Sequence, residues 1–185
     1  MCIRGRARSN VQKRSEVPPV DSNKGEKHRL IIDLAVEVMP ETCQNFIDLC
    51  SAETEGYKGS MFYRIEPKVG LCGGDVLTNI GKTGKAAAGN PLNLMVKEDP
   101  LAMWHIPGAV TMVVQTVDEI DSRFILCTGA AHHLDGINRA FGTMTPESVA
   151  IVQAWEADVL TKKGVPATFD LVVVDSGLMD EEQVT

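Results

Sequence analysis

Two stretches decide the fold. The first is Val38-Met39-Pro40-Glu41-Thr42-Cys43-Gln44-Asn45-Phe46-Ile47-Asp48-Leu49-Cys50; the second is Gly56-Tyr57-Lys58-Gly59-Ser60-Met61-Phe62-Tyr63-Arg64-Ile65, with Gly73-Gly74-Asp75 after it. Pro40 suits the first position of a helix, where a missing N–H costs nothing, and Glu41 complements the positive end of the helix dipole. Cys43, Phe46, Ile47 and Cys50 recur at helical spacing and give that helix one apolar face. Ser60–Ile65 reads as a strand.

Outward from there, strand-like runs broken by turn residues follow: Arg29–Val36, Gly108–Val114, Arg123–Cys127, Arg139–Met144 and Thr168–Asp175. A second helix opens at Thr145-Pro146-Glu147, with Thr145 as cap and Val149, Val152, Trp155 and Val159 as its buried stripe. Many short strands with only two helices predict a mainly β chain, a closed antiparallel barrel or sandwich and not a parallel βαβ sheet. Residues 1–27 are polar, basic and interrupted by Pro18-Pro19, and residues 179–185 are acidic. They read as extensions flanking a domain at 28–178.

The chain has 185 residues, 44% hydrophobic and 23% charged, enough to bury one core. Its 18 basic against 25 acidic residues leave a net charge of -7, which argues against nucleic acid as a partner. The longest apolar-rich segments, Leu30–Val36 and Ile106–Val114, are strand-sized, so no membrane span is expected. Cys2, Cys43, Cys50, Cys72 and Cys127 are an odd number without a CxxC pair, and reduced buried thiols in a cytoplasmic compartment are the expectation. Arg4, Arg6, Arg8, Lys13 and Arg14 precede the first acid, Glu16, a pattern shared with organellar import segments, which stays open as the alternative.

Several motifs fail on chemistry. Gly81-Lys82-Thr83 lacks the upstream glycine a phosphate loop needs, because position 76 is Val. His132 and His133 are adjacent, so an extended backbone sends them to opposite faces, and no metal site is expected. No Gly-x-Ser-x-Gly elbow is present. Nothing calls for a cofactor.

The quoted stretches resemble the cyclophilin family, whose pattern runs from a P-x-T-x-x-N-F helix through a GYKGS-x-F-H-R-I strand to a Q-G-G-D turn. Pro107–Met112, Ser122–Thr128, Leu134-Asp135-Gly136, Ala140-Phe141-Gly142 and Val172–Gly177 match later family segments in order. The resemblance covers about residues 28 to 178 and implies an eight-stranded antiparallel β-barrel capped by two α-helices. It also implies peptidyl-prolyl isomerisation. The amide rotation barrier of ~18–20 kcal/mol is lowered by gripping the proline ring and donating hydrogen bonds to the twisted amide, with no nucleophile, metal or cofactor.

Carried over by position, the family's site residues are partly kept. The arginine is Arg64 and the pocket leucine is Leu134. The Phe-Met-x-Gln run becomes Val69-Gly70-Leu71-Cys72, and Ala-Asn-Ala becomes Val113-Val114-Gln115. The second glutamine becomes Arg123, the pocket phenylalanine Ile125, the groove tryptophan His133 and the pocket histidine Asn138. Two lost aromatic contacts at ~1–3 kcal/mol each and a lost hydrogen bond at ~0.5–1.5 kcal/mol predict a catalytic loss of ~3 kcal/mol or more. That is at least about two powers of ten. The expectation is a cyclophilin-like protein with a degraded proline-binding site and little isomerase activity. It would bind protein partners or proline-containing segments, as a structural subunit of a larger assembly such as a ciliary complex. The alternative is a working isomerase of low activity or altered specificity. Loss of the groove tryptophan predicts poor cyclosporin binding.

Overall fold

The computed structural model describes residues 2–5, 27–88, 92–161 and 171–179. Its strands are β1 (Cys2–Gly5), β2 (Ile31–Leu34), β3 (Arg64–Glu66), β4 (Gly70–Gly73), β5 (Leu94–Met95), β6 (Ala109–Thr116), β7 (Glu119–Cys127), β8 (Arg139–Met144) and β9 (Gly177–Leu178). Two α-helices, α1 (Pro40–Ser51) and α2 (Pro146–Thr161), and a short 3-10 turn at His132–Leu134 complete the order. The sheet runs β3-β4-β7-β6-β8-β2-β1-β9, with β5 pairing onto β7.

The fold is therefore mainly antiparallel β with two helices, as the sequence predicts, but the expected eight-stranded closed barrel is only approximated. β1 pairs in parallel with both β2 and β9, so the sheet is mixed. Its ends, β3 and β9, are not laddered to each other among the described residues. What brings them together is a single bridge between Met61 and Val172. Hydrogen bonds from Gly59 N to the Val173 carbonyl (2.7 Å), Val173 N to Ser60 (2.9 Å) and Phe62 N to Leu171 (3.0 Å) flank that bridge. β1 also lies within the stretch read as an extension, so the start of the chain contributes backbone to the sheet. Of the remaining extension residues, all but Lys27 lie outside the described residues, as do residues 180–185.

Both helices start as the residues dictate. Pro40 and Glu41 open α1, yet Met39 offers no capping side chain. The Glu98 carboxylate serves instead, accepting from Glu41 N at 2.6 Å, from Thr42 N at 3.2 Å and from the Thr42 hydroxyl. An anion satisfies orphan N–H groups there from any distance in sequence. At α2 the Thr145 hydroxyl lies 3.0 Å from that of Ser148 and accepts from Ser148 N at 3.4 Å.

The core is an aromatic interlock. Phe46 on α1 meets Tyr57 (4.9 Å), Phe141 (4.8 Å) and Phe124 (5.4 Å, rings at 88°), and Phe62 reaches Phe124 at 5.9 Å. The one phenol among them, Tyr57, is fully buried and donates to the Ser122 carbonyl at 2.8 Å, so no polar atom is stranded. Burial lifts its ionisation well above the usual tyrosine range. Along β7 the pleat then splits the chain's chemistry in two. Phe124 and Leu126 enter this core, while Ile125 and Cys127 join a smaller cluster on the opposite face.

Candidate functional site

That opposite face holds the candidate site. Strand register places Arg64 opposite Cys72, Cys72 opposite Ile125, and Ile125 opposite Thr111, a row across β3, β4, β7 and β6. Residues opposite one another share a face, so the row is set by the same pleat that buries Phe124. Cys72, Ala109, Ile125 and Cys127 form its buried floor, with Tyr63, Val113 and Leu134 packed against them. β4 comes so close to β7 that a Cβ on Gly70 would lie 2.2 Å from the Leu126 carbonyl oxygen. Only glycine allows that approach.

Arg64 is exposed and its Nη2 pairs with Glu66 Oε2 at 2.8 Å. Hydrogen-bonding contact with the Cys72 thiol raises the guanidinium's pKa first, with Glu66 adding to it, so the charge is held. Burial lifts the Cys72 thiol against the opposing pull of Arg64, which leaves a neutral sulfur at neutral pH. Cys127 is pushed up to about 12, chiefly by burial. Cys43, Cys50, Cys72 and Cys127 are buried, and no disulfide forms among the described residues.

The other residues predicted from sequence divide. Val113 packs on the small cluster, whereas Val114 packs against the aromatic core with Val110 and Met112, because neighbouring residues on a strand point to opposite faces. Gln115 is exposed on β6. Leu134 joins the cluster from the 3-10 turn, and His133 beside it is exposed. Asn138 is buried, its Oδ1 accepting from Val114 N at 3.3 Å. Val69 is half-buried in the turn between β3 and β4, its carbonyl accepting from Thr128 N at 3.0 Å. Arg123 does not reach out as a free donor. Its Nε and Nη2 bind Asp121 Oδ2 at 3.0 and 2.7 Å, and Nη1 donates to the Gly81 carbonyl at 2.9 Å.

Beneath the row lies a hydrogen-bond chain that spacing alone did not reveal. The fully buried His105 ring places Nδ1 2.7 Å from Asp135 Oδ1 and Nε2 2.8 Å from the Thr111 hydroxyl. It ties the floor strand β6 to the turn that carries Leu134. Asp135 also holds the backbone N–H of His105 at 2.9 Å and the His132 ring at 3.0 Å, and its pKa falls to about 2. The His105 N–H is the largest cause, acting against burial, with the two rings adding to it. His105 and Asp135 stand 30 residues apart, so only the fold brings them together.

The sequence model of the cyclophilin type peptidyl-prolyl cis-trans isomerase family matches residues 20–176. The chain belongs to the cyclophilin family. It is 26% identical over 179 residues to the human NK-tumor recognition protein, a match covering 89% of this chain and 12% of that protein. The mouse NK-tumor recognition protein is 27% identical over 174 residues, covering 86% and 11%. The chain thus matches only about an eighth or less of these relatives' length. Of the positions read from the sequence as differing from the family pattern, Cys72, Val113 and Ile125 lie on the small-cluster face, whereas Val114 packs on the aromatic face with Phe46, Tyr57, Phe62, Phe124 and Phe141. Two residues beside the row are not among the site positions read from the sequence. Tyr63 stands where the family motif has histidine, a signal already present in the Ser60–Ile65 run, and Glu66 closes on Arg64.

Proposed function

We propose that this cyclophilin-family chain binds extended, proline-containing protein segments across the Arg64–Cys72–Ile125 row and isomerises them weakly. The observation that carries this reading is the state of Arg64. The guanidinium keeps its place at the head of the row, but Glu66 engages it at 2.8 Å and a thiol, not an amide, stands beside it at Cys72. A donor already neutralised by a carboxylate offers less to the twisting amide, because catalysis counts only what strengthens in the transition state. Ile125, Val113 and Leu134 still offer an apolar surface for a ring. Arg123, committed to Asp121 and Gly81, offers that ring's backbone little.

On this reading the chain serves chiefly as a protein-binding subunit of a larger assembly, in the cytoplasm or a cytoskeletal structure such as a cilium. Buried cysteines outside any disulfide among the described residues are in keeping with a reducing compartment. Among the described residues no helix is long and apolar enough to cross a membrane. The persistence of Arg64 with its charge held favours a second reading, an isomerase of altered specificity.

Exchange NMR or a protease-coupled assay on Xaa-Pro peptides separates the two. Binding with turnover about a hundredfold or more below an ordinary cyclophilin supports the first. Turnover within about tenfold of one, lost in Arg64→Ala, overturns it in favour of the second.

A further inference from the structure

Tyr63 is the one aromatic side chain among the described residues packed on the small cluster. Its backbone N–H donates to the Cys72 carbonyl at 3.0 Å, which locks it to β4 just ahead of Arg64. The ring is backed by the loop after Asp75. A Cβ on Gly81 would lie 2.4 Å from a ring carbon, so ring and loop are in direct contact and only glycine fits between them. That backing is itself fixed. The Gly81 carbonyl accepts from Arg123, Arg123 is clamped on Asp121, and Asp75 accepts from Thr78, Lys82 and Thr83 N–H groups at 2.8, 3.0 and 3.3 Å. One side of the ring is therefore held, another meets the Cys72–Ile125 floor, and the residue as a whole is only half-buried. Burial pushes the phenol's pKa up to about 12 against the opposing pull of Arg123 and Arg64, so it stays neutral.

We infer that Tyr63 is the aromatic wall of this site, taking over the stacking surface that the family's two phenylalanines supply and that Val69 and Ile125 here do not. A preorganised ring of this kind selects a proline ring over an open side chain, because it offers a flat apolar face at no further ordering cost. The cleft keeps a preference for Xaa-Pro segments even though its donors are weakened. This rests on the peptide-binding reading above and assigns it a residue.

The test uses the full chain, its Tyr63→Phe, Tyr63→Leu and Tyr63→Ala variants, and two probes: the peptide Ala-Ala-Pro-Phe and the same peptide with alanine for proline. Affinities are read by NMR titration of the labelled protein, and folding by amide dispersion and melting. The expected result is that the chain prefers the proline peptide. Tyr63→Leu and Tyr63→Ala should lose about tenfold in affinity for it, and the preference with it, while Tyr63→Phe restores both. Equal or tighter binding by folded Tyr63→Leu, with the parent still preferring proline, overturns the role of Tyr63 alone. The peptide-binding reading fails as well when the parent binds neither peptide.

Discussion

The two faces of β7 are built on different principles although they share one backbone. Phe124 and Leu126 look into an interlock of large rings in which Phe46 and Phe124 each touch three others. Ile125 and Cys127 look onto a floor of Cys72 and Ala109, small side chains covered by half-buried neighbours. The first face stabilises the sheet whatever the second one does. This is how a binding surface can change residue by residue while the scaffold beneath it holds, since packing energy resides where rings interdigitate. The difference is measurable.

The largest expected effect comes from breaking the aromatic side. Phe124→Ala should cost about 3–5 kcal/mol of unfolding free energy, and Ile125→Ala on the opposite face should fall at the low end of its range, about 2 kcal/mol, because its small cluster leaves little to lose. Denaturant titration of both variants decides it; equal losses would mean that the two faces share one core. Next comes the link between floor and rim. Thr111→Val leaves a buried imidazole nitrogen at His105 without its 2.8 Å partner, at a cost of about 1–3 kcal/mol. The amide signals of Leu134 and Asp135 should shift with it. Silence at the turn would show that the chain through His105 does not hold it.

These elements also show what the residues disclose. The start of α2 and the span of β8 follow from capping chemistry and turn residues that act within a few positions, and Pro40 with Glu41 marks the start of α1, whose capping carboxylate, Glu98, comes from far along the chain. β4 did not read as a strand, because Gly70-Leu71-Cys72-Gly73 has little strand propensity and exists through its close fit to β7. The parallel pairing of β1 with β2 joins segments far apart in the chain, beyond the reach of any local pattern. At the site the same divide holds. Arg64, Cys72, Ile125 and Leu134 could be placed by motif alignment, but the engagement of Arg64 by Glu66 and the retreat of Arg123 onto Asp121 depend on rotamers and on which partners the fold brings within reach.

Acid separates the regions more gently. Burial would raise the Asp75 carboxyl, but donors from the Thr78 hydroxyl, Thr78 N and the Thr83 and Gly81 N–H groups hold it well below the usual range. Asp135 is held at about 2. Both folded values lie below the ~3.9 of an unfolded aspartate, so their stabilisation is complete above that pH and is lost as pH falls toward the folded values. Unfolding free energy should be level from neutral pH to about 5 and decline below about 4. Asp75→Asn should make that decline shallower. An identical slope in the variant would exclude the Asp75 loop, the backing of Tyr63, as its source.

The smallest effect tests the site face itself. Glu66 and Arg64 are both substantially exposed, 42% and 62% at the side chain, so water screens their pair and its strength is about 0.2–1 kcal/mol. Removing the carboxylate charge with Glu66→Gln frees the guanidinium to turn toward a bound amide without disturbing any buried group. The variant should melt like the parent and raise kcat/KM on Xaa-Pro peptides by about two- to fivefold. The gain should vanish in the Glu66→Gln, Arg64→Ala double variant, because the carboxylate acts only through the arginine. A merely structural ion pair would give a small loss of stability and no gain in turnover. Unchanged or reduced turnover in Glu66→Gln would therefore mean that the turnover measured is set by the floor of Cys72 and Ile125 and not by the competition for Arg64.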